Sequence, residues 1–347
     1  MDPSRSSWVT APGALDARPR AELVPGDREN VPVVHDGPAA TLLPGQRFRV
    51  LTWNIQFAGT RRHHFFYDGG DAVAVPADDV REALDGIVAV LARLDPDVAL
   101  LQEVDRRSGR TGYVDELDRI HRGFPAARRL STSIHRSAWV PHPLRHQLGP
   151  VDLHQAVLSR FELDRGVRIA LPPLREPALR QAFNLHRALL VGTGPDLTFA
   201  TTHLSAFSRG DGTLPAQVAR IVAWIDGLRG RPWLLGGDFN LLPPDDDPRR
   251  LGDEAAEYAD HPSPLLPLFA RGRSVIPEAS AGDPQPRTYL PPGADAPDRV
   301  LDWIFVSPHL TVERAWVEPV PAWLSDHRPI VADLRWTPPE GSVVASR

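Results

Sequence analysis

The stretch WLLGGDFN, residues 233–240, reads as an apolar strand that ends by presenting a carboxylate and an amide. Pro232 precedes it and a Gly pair closes the apolar run just before Asp238 and Asn240. Working outward, the same arrangement recurs. RFRVLTWN, 47–54, ends on Asn54, VALLQ, 98–102, is followed by Glu103, and LTFATT, 197–202, is followed by His203. Asp302 sits early in VLDWIFVS, 300–307, and Asp326 and His327 precede PIVADL, 329–334. Taken singly, a Glu past a strand is a solvated end, a lone His is structural and Gly-Asp is a turn. Their repetition behind buried strands points instead to rigid arms converging on one site.

Between these strands lie two helices. Over 79–94, Val80, Leu84, Ile87, Val88, Leu91 and Leu94 keep helical spacing, with Asp79 and Glu82 placed as a capping box and Pro96 just past the end. A second helix covers 214–229 and stops at Gly230. Further strands are expected at 155–159, 167–171, 186–192 and 312–318. Many short strands with few helices imply layered α/β architecture, two packed sheets with helices outside. The domain is expected over 46–337, after an irregular leader, 1–45, and before a flexible tail, 338–347.

Composition narrows the chemistry. The 347 residues carry 26 Gly and 37 Pro, too few for a low-complexity chain, and 42% apolar residues, enough for a sizeable core. There is no Cys, which excludes disulfides, thiolate metal sites and Cys nucleophiles. There is also no Lys, which excludes Schiff-base chemistry and a P-loop Lys. The net charge of −5 argues against a protein that coats DNA, without excluding a local basic groove. No apolar run approaches the ~18 residues of a membrane span, and the N-terminus lacks the apolar region of a secretory signal. A cytoplasmic location is the resulting expectation.

The motifs LTWNIQ (51–56), LLQEVD (100–105), AVLSRF (156–161), TTHLSA (201–206), GGDFNLLP (236–243), LDWIFVS (301–307) and SDHRPI (325–330) together resemble the endonuclease/exonuclease/phosphatase superfamily. Its members include deoxyribonuclease I, abasic-site endonucleases, inositol-phosphate 5-phosphatases and neutral sphingomyelinases. The resemblance implies a deoxyribonuclease I-like four-layer α/β sandwich with two central, mostly antiparallel sheets and a site at one edge. It departs at Gln155, where the family often has a Gly-Asn pair.

The resemblance also implies roles. Asn54, Glu103 and Asp326 would hold a metal, Mg²⁺ or Mn²⁺ given hard oxygen donors. Asp238 would be general base and Asn240 would orient water or phosphate. His203 and His327 would donate to phosphoryl oxygens, with Asp302 orienting His327. Arg107 and Arg110, in the loop after Glu103, together with Arg160 and Tyr289, are candidate substrate contacts. The aromatic run HHFFY, 63–67, is open between stacking on a base, touching a lipid and packing in the core.

The expected activity is hydrolysis of a phosphodiester or phosphomonoester by water, on a small or lipid-linked substrate, with a nuclease acting on DNA or RNA as the alternative. An inactive scaffold would have lost one of these residues, and a calcineurin-like enzyme would carry a GNH segment, which is absent. Oligomeric state is not legible.

Overall fold

The structure, a computed structural model, describes residues 27–174, 185–206, 208–276 and 287–337. Its first sheet contains β2 (Val34–His35), β3 (Arg47–Asn54), β4 (Val98–Asp105), β5 (Arg128–Val140), β6 (Gly149–Ser159), β13 (Leu310–Val317) and β14 (Ile330–Trp336). The second contains β1 (Arg28–Val31), β7 (Arg165–Ala170), β8 (Ala188–Thr193), β9 (Thr198–His203), β10 (Trp233–Asp238), β11 (Arg273–Ser274) and β12 (Asp302–Val306). Their spatial orders are β13-β14-β3-β4-β6-β5-β2 and β1-β7-β8-β9-β10-β12-β11.

Each sheet has one parallel pair at its centre, β3 with β4 and β9 with β10, flanked by antiparallel strands. That topology places the site. The C-terminal ends of β3, β4, β9 and β10 and the starts of β12 and β14 all fall at one edge. Those are the positions of Asn54, Glu103, His203, Asp238, Asp302 and His327.

Between the sheets lies an apolar layer that includes Val50, Leu100, Val157, Phe199, Leu234 and Ile304, each at most 1% exposed. The helices α1 (Ala77–Leu94) and α2 (Glu116–Gly123) cover the outer face of the first sheet. On the far side, α3 (Thr213–Gly227) and α4 (Leu266–Phe269) pack against the second. The result is a four-layer α/β sandwich. In α1 the buried stripe is Val80, Leu84, Ile87 and Leu91, and each such side chain contributes roughly 1.5–3 kcal/mol on burial.

Three expectations change. The capping box at the start of α1 does not form. The helix begins after Pro76 with no side-chain cap, and Asp79 instead meets His63 Nε2 at 2.7 Å while Glu82 accepts from Arg62 at 2.5 and 2.8 Å. Asp78 and Asp79 still sit in the first turn, where negative charge suits the helix dipole. The leader is also partly regular, because β1 pairs with β7 and β2 with β5 at the sheet margins. Its residues 1–26 and the expected tail, 338–347, lie outside the described residues. Finally, β5 and α2 are elements the sequence pattern does not announce.

Two glycines let the sheets close behind the site. A Cβ on Gly236 would stand 2.8 Å from Leu100 Cδ1 of the opposite sheet. One on Gly237, whose φ is +157°, would stand 2.0 Å from the Thr202 carbonyl oxygen of β9. No helix among the described residues is long and apolar enough to cross a membrane.

Candidate active site

Asp238 lies at the centre, 1% exposed. Its Oδ2 accepts from Asn54 Nδ2 at 3.0 Å and lies 3.4 Å from His203 Nε2 and 3.6 Å from His327 Nε2. Its Oδ1 accepts from the Asn240 backbone N–H at 3.0 Å. One carboxylate thus gathers residues from both sheets. Asn240 takes a positive φ of +50°, and its Nδ2 donates to the Leu204 carbonyl at 3.1 Å, which ties the β10 loop to the loop after His203.

Glu103 sits at a bulge of β4, where the register with β6 shifts between Leu101 and Val104. Its φ of +54° is a strained value for a side-chain residue, the kind of distortion that re-aims a functional group. Its Oε1 accepts from Asn54 Nδ2 at 3.1 Å and lies 3.9 Å from His203 Nε2. Asn54 therefore stands between two carboxylates with its amide N–H groups toward them, while its Oδ1 accepts the Gln56 backbone N–H at 3.0 Å. The Asn54 carbonyl, expected among the metal-holding groups, is thus engaged by the chain's own backbone.

The Asp–His pair is direct. His327 Nδ1 and Asp302 Oδ2 are 2.7 Å apart, both side chains buried. The segment 288–290 straps this pair. Thr288 Oγ1 accepts the Asp302 backbone N–H at 3.3 Å, and the Tyr289 ring lies 5.0 Å from that of His327. Asp326 is brought to the end of β3 because its backbone N–H donates to Gln56 Oε1 at 3.2 Å and Ser325 Oγ donates to the Asn54 carbonyl at 2.8 Å.

Burial and charge pull these groups apart in protonation. Burial lowers the His327 pKa, but Asp302 and Asp238 outweigh it and hold the imidazole well above its ordinary value, as a cation. His203 goes the other way, well below its ordinary value, through burial and then the charges of Arg187 and His327. Burial pushes Asp238 up to about 6, against the pull of His327.

The donor set fits a divalent cation. Asp238, Asp302 and His327 present ligand atoms that all lie within 4.8 Å of one another, and Asp302 Oδ1 is buried with no hydrogen-bond partner. Within that trio, however, the 2.7 Å His327–Asp302 hydrogen bond already occupies one donor from each residue. Glu103 and Asp326 are the remaining hard carboxylates beside it.

A family model, the Endonuclease/Exonuclease/phosphatase family, matches residues 51–327 and so spans every one of these side chains. The chain belongs to that family. Among solved structures, the endonuclease/exonuclease/phosphatase from Beutenbergia cavernae is similar over 84% of this chain and 72% of its own, at 23% identity and a TM-score of 0.56. The human Nocturnin catalytic domain with bound sulfate anion is similar over 93% of this chain and 100% of its own, at 20% identity and a TM-score of 0.53. A Bacteroides vulgatus endonuclease/exonuclease/phosphatase is similar over 84% and 99%, at 17% and 0.53. At these identities the likeness shows the fold. No curated protein matches the chain in sequence.

The arginines expected at substrate divide. Arg107 is exposed on the loop beyond β4. Arg110 is not available in the same way. It is 7% exposed, grips Asp105 through two bonds of 2.7 and 3.0 Å, and stacks over Phe57 at 3.6 Å. Arg160 follows the end of β6, which pairs with the start of β4 and so lies at the sheet margin opposite the site. It pairs with Asp95, and with Asp97 at 3.6 Å. Both are structural ion pairs in this fold. Of HHFFY, Phe65 is buried against Phe57, whereas Tyr67 is 44% exposed.

Beside Asp105 lies a second buried acid. Glu116 is fully buried, accepts the Asp105 backbone N–H through Oε2 at 2.8 Å and leaves Oε1 unpartnered. Burial and then the Asp105 charge raise its pKa well above the ordinary carboxylate value. A raised folded-state pKa means that stability falls as pH climbs from the unfolded value to the folded one. Glu116→Gln is therefore expected to raise the melting temperature by several degrees at pH 8 and to change it little at pH 4. Thermal melts at the two pH values check this, and an equal or negative shift at pH 8 contradicts it.

Sequence reasoning missed Arg187. It precedes β8, is 5% exposed, and its Nη1 is buried with no hydrogen-bond partner. Burial lowers its pKa to about 10, opposed by the nearby charges of Glu103 and Asp238, so it remains a cation beside those carboxylates. The signal was available, since a chain without Lys must take its buried positive charge from Arg. Also missed was Gln102, fully buried, whose Nε2 donates to Thr52 Oγ1 at 3.1 Å and Thr201 Oγ1 at 2.8 Å and so links the two sheets directly behind the site.

Proposed function

We propose that this protein is a metal-dependent phosphoesterase that cleaves its substrate by direct attack of water. The observation that carries the reading is the meeting of Glu103, His203 and His327 around Asp238, each within 4 Å of a neighbour in the cluster, with His327 held by Asp302. Family membership supports phosphoesterase or nuclease chemistry of this kind.

A phosphoester repels hydroxide because both are anionic. Hydrolysis then needs an activated water, positive charge on the phosphoryl oxygens and a stabilised leaving oxygen. Asp238 serves as general base, and a carboxylate pushed up to about 6 accepts a proton better than an ordinary one. The His327 cation, fixed through Nδ1 by Asp302, presents Nε2–H to a phosphoryl oxygen. His203 acts as a neutral donor on the same side, and Asn240 orients the water. Arg187 adds a fixed positive charge.

Glu103 and Asp326 are the residues we assign to a Mg²⁺ or Mn²⁺ ion, with Asn54 spacing Glu103 from Asp238. Such an ion supplies Lewis-acid polarisation of the phosphoryl group and charge stabilisation of the leaving oxygen.

The decisive test is one panel of phosphoesters with Mg²⁺, Mn²⁺ or chelator: a chromogenic phosphodiester, plasmid DNA, an abasic oligonucleotide, sphingomyelin and inositol phosphates. Mg²⁺-supported cleavage of at least one, abolished by chelator, is expected. Turnover that survives chelation overturns the reading.

A further inference from the structure

We infer that the β5–β6 hairpin and the two loops beside it form a docking face for an anionic phospholipid surface, which brings lipid-borne phosphoesters to the site. The docking face stands on surface chemistry, while its delivery of substrate rests on the proposed function.

The hairpin rises on the catalytic side. β6 runs antiparallel to β4, with Val104 opposite His154, and continues back to Gly149 opposite Val140. It therefore extends roughly 17 Å beyond the bulge that carries Glu103, at about 3.4 Å per residue. The two neighbouring loops are anchored to it. The loop after β3 touches it through Phe66 and His142, whose rings are 5.4 Å apart. The loop after β4 holds its base, because Arg106 N–H donates to the Asp152 carbonyl at 2.8 Å and Asp152 N–H donates to Ser108 Oγ at 2.9 Å.

Four of the seven exposed large hydrophobic residues among the described residues fall on these three segments: Leu144 at 85%, Tyr113 at 62%, Trp139 at 55% and Tyr67 at 44%. Clustering of that kind at the rim of a site marks an interaction surface rather than scattered exposure. The distal part of the hairpin is basic, although Asp152 at its base lies 3.5 Å from Arg136 and Asp71 is exposed on the loop after β3. No Asp or Glu occurs between Asp118 and Asp152, whereas Arg136 and Arg145 are both exposed on the hairpin.

The combination favours lipid over nucleic acid. The most exposed residue at the tip is an aliphatic Leu just past two prolines, Pro141 and Pro143. Such an aliphatic tip suits the acyl boundary of a bilayer. Trp139 and Tyr113 suit headgroup depth, and Arg136 and Arg145 suit lipid phosphates.

The test compares the full chain with a Trp139→Ser, Leu144→Asp double variant. Both are co-sedimented with phosphatidylcholine vesicles containing phosphatidylserine, and both are assayed on a soluble chromogenic phosphodiester with Mg²⁺. The wild-type protein is expected to pellet, and the variant's vesicle-bound fraction to fall about tenfold, with its soluble turnover unchanged. Wild-type protein that stays in solution, or a variant that pellets equally, overturns the proposal. Binding of a single-stranded oligonucleotide that the double variant loses, without vesicle binding, reassigns the face to nucleic acid and also overturns it. Vesicle binding with no Mg²⁺-supported hydrolysis of any phosphoester in the panel above would sink the phosphoesterase reading and leave the docking face standing.

Discussion

Asp238→Asn is expected to reduce phosphoester hydrolysis roughly 10⁴-fold while leaving the fold in place. The carboxylate is buried between Asn54, His203 and His327, and it accepts the Asn240 backbone N–H, a bond that an Asn oxygen can still accept. What Asn cannot do is take a proton from water. Burial already disfavours the charge at this position. Its removal is therefore expected to leave the melting temperature within a few degrees of the wild type. Initial rates at saturating Mg²⁺, with circular dichroism and a thermal melt on the same preparation, separate loss of chemistry from loss of structure. Near-normal turnover would mean that another group activates the water.

The contrast between Asp238 and Arg160 says why parts of the molecule could be read from its sequence. Asp238 ends an apolar strand, and a strand paired on both sides fixes where its last residue points. That holds for Asn54, Glu103, His203, Asp302 and His327, because all of them sit at the ends of central strands whose apolar runs are hard to misread. Arg160 also ends such a strand, but β6 runs the opposite way, so the same pattern delivers it to the opposite margin. Strand direction, set by long-range pairing, is not written in a local motif. The hairpin strand β5 escaped for a different reason. Arg128 and Thr132 occupy buried positions alternating with Leu130 and Ile134, so half of its inward face is polar and the apolar alternation disappears. The helix α2 buries only Leu117 and Ile120 among its apolar residues, too few to show a period, and its one sequence cue is Asp115, which caps the Asp118 N–H at 3.2 Å. The capping box failed because cross-element partners, His63 and Arg62, took both acids.

Arg187 carries the second large effect. A buried cation whose Nη1 has no partner is costly in itself, and burial has already lowered its pKa to about 10. Such a group is retained where charge develops during reaction, and an anionic phosphoryl group beside Glu103 and Asp238 would supply its missing acceptor. Arg187→Met is expected to lower kcat roughly 10²–10³-fold, the usual effect of deleting one donor to a developing oxyanion. Stability should not fall with it, since Met fills a similar volume without the desolvation penalty. Arg187→Lys restores a charge but not the planar fork, so partial recovery of rate is expected. Kinetics and thermal melts on the three proteins decide between roles. A purely structural arginine would lose stability and rate together, and recover neither the rate nor its pH profile with Lys. A rate within twofold of wild type for the Met variant would remove Arg187 from the reaction and leave His203 and His327 as the only protein donors to phosphate in this mechanism.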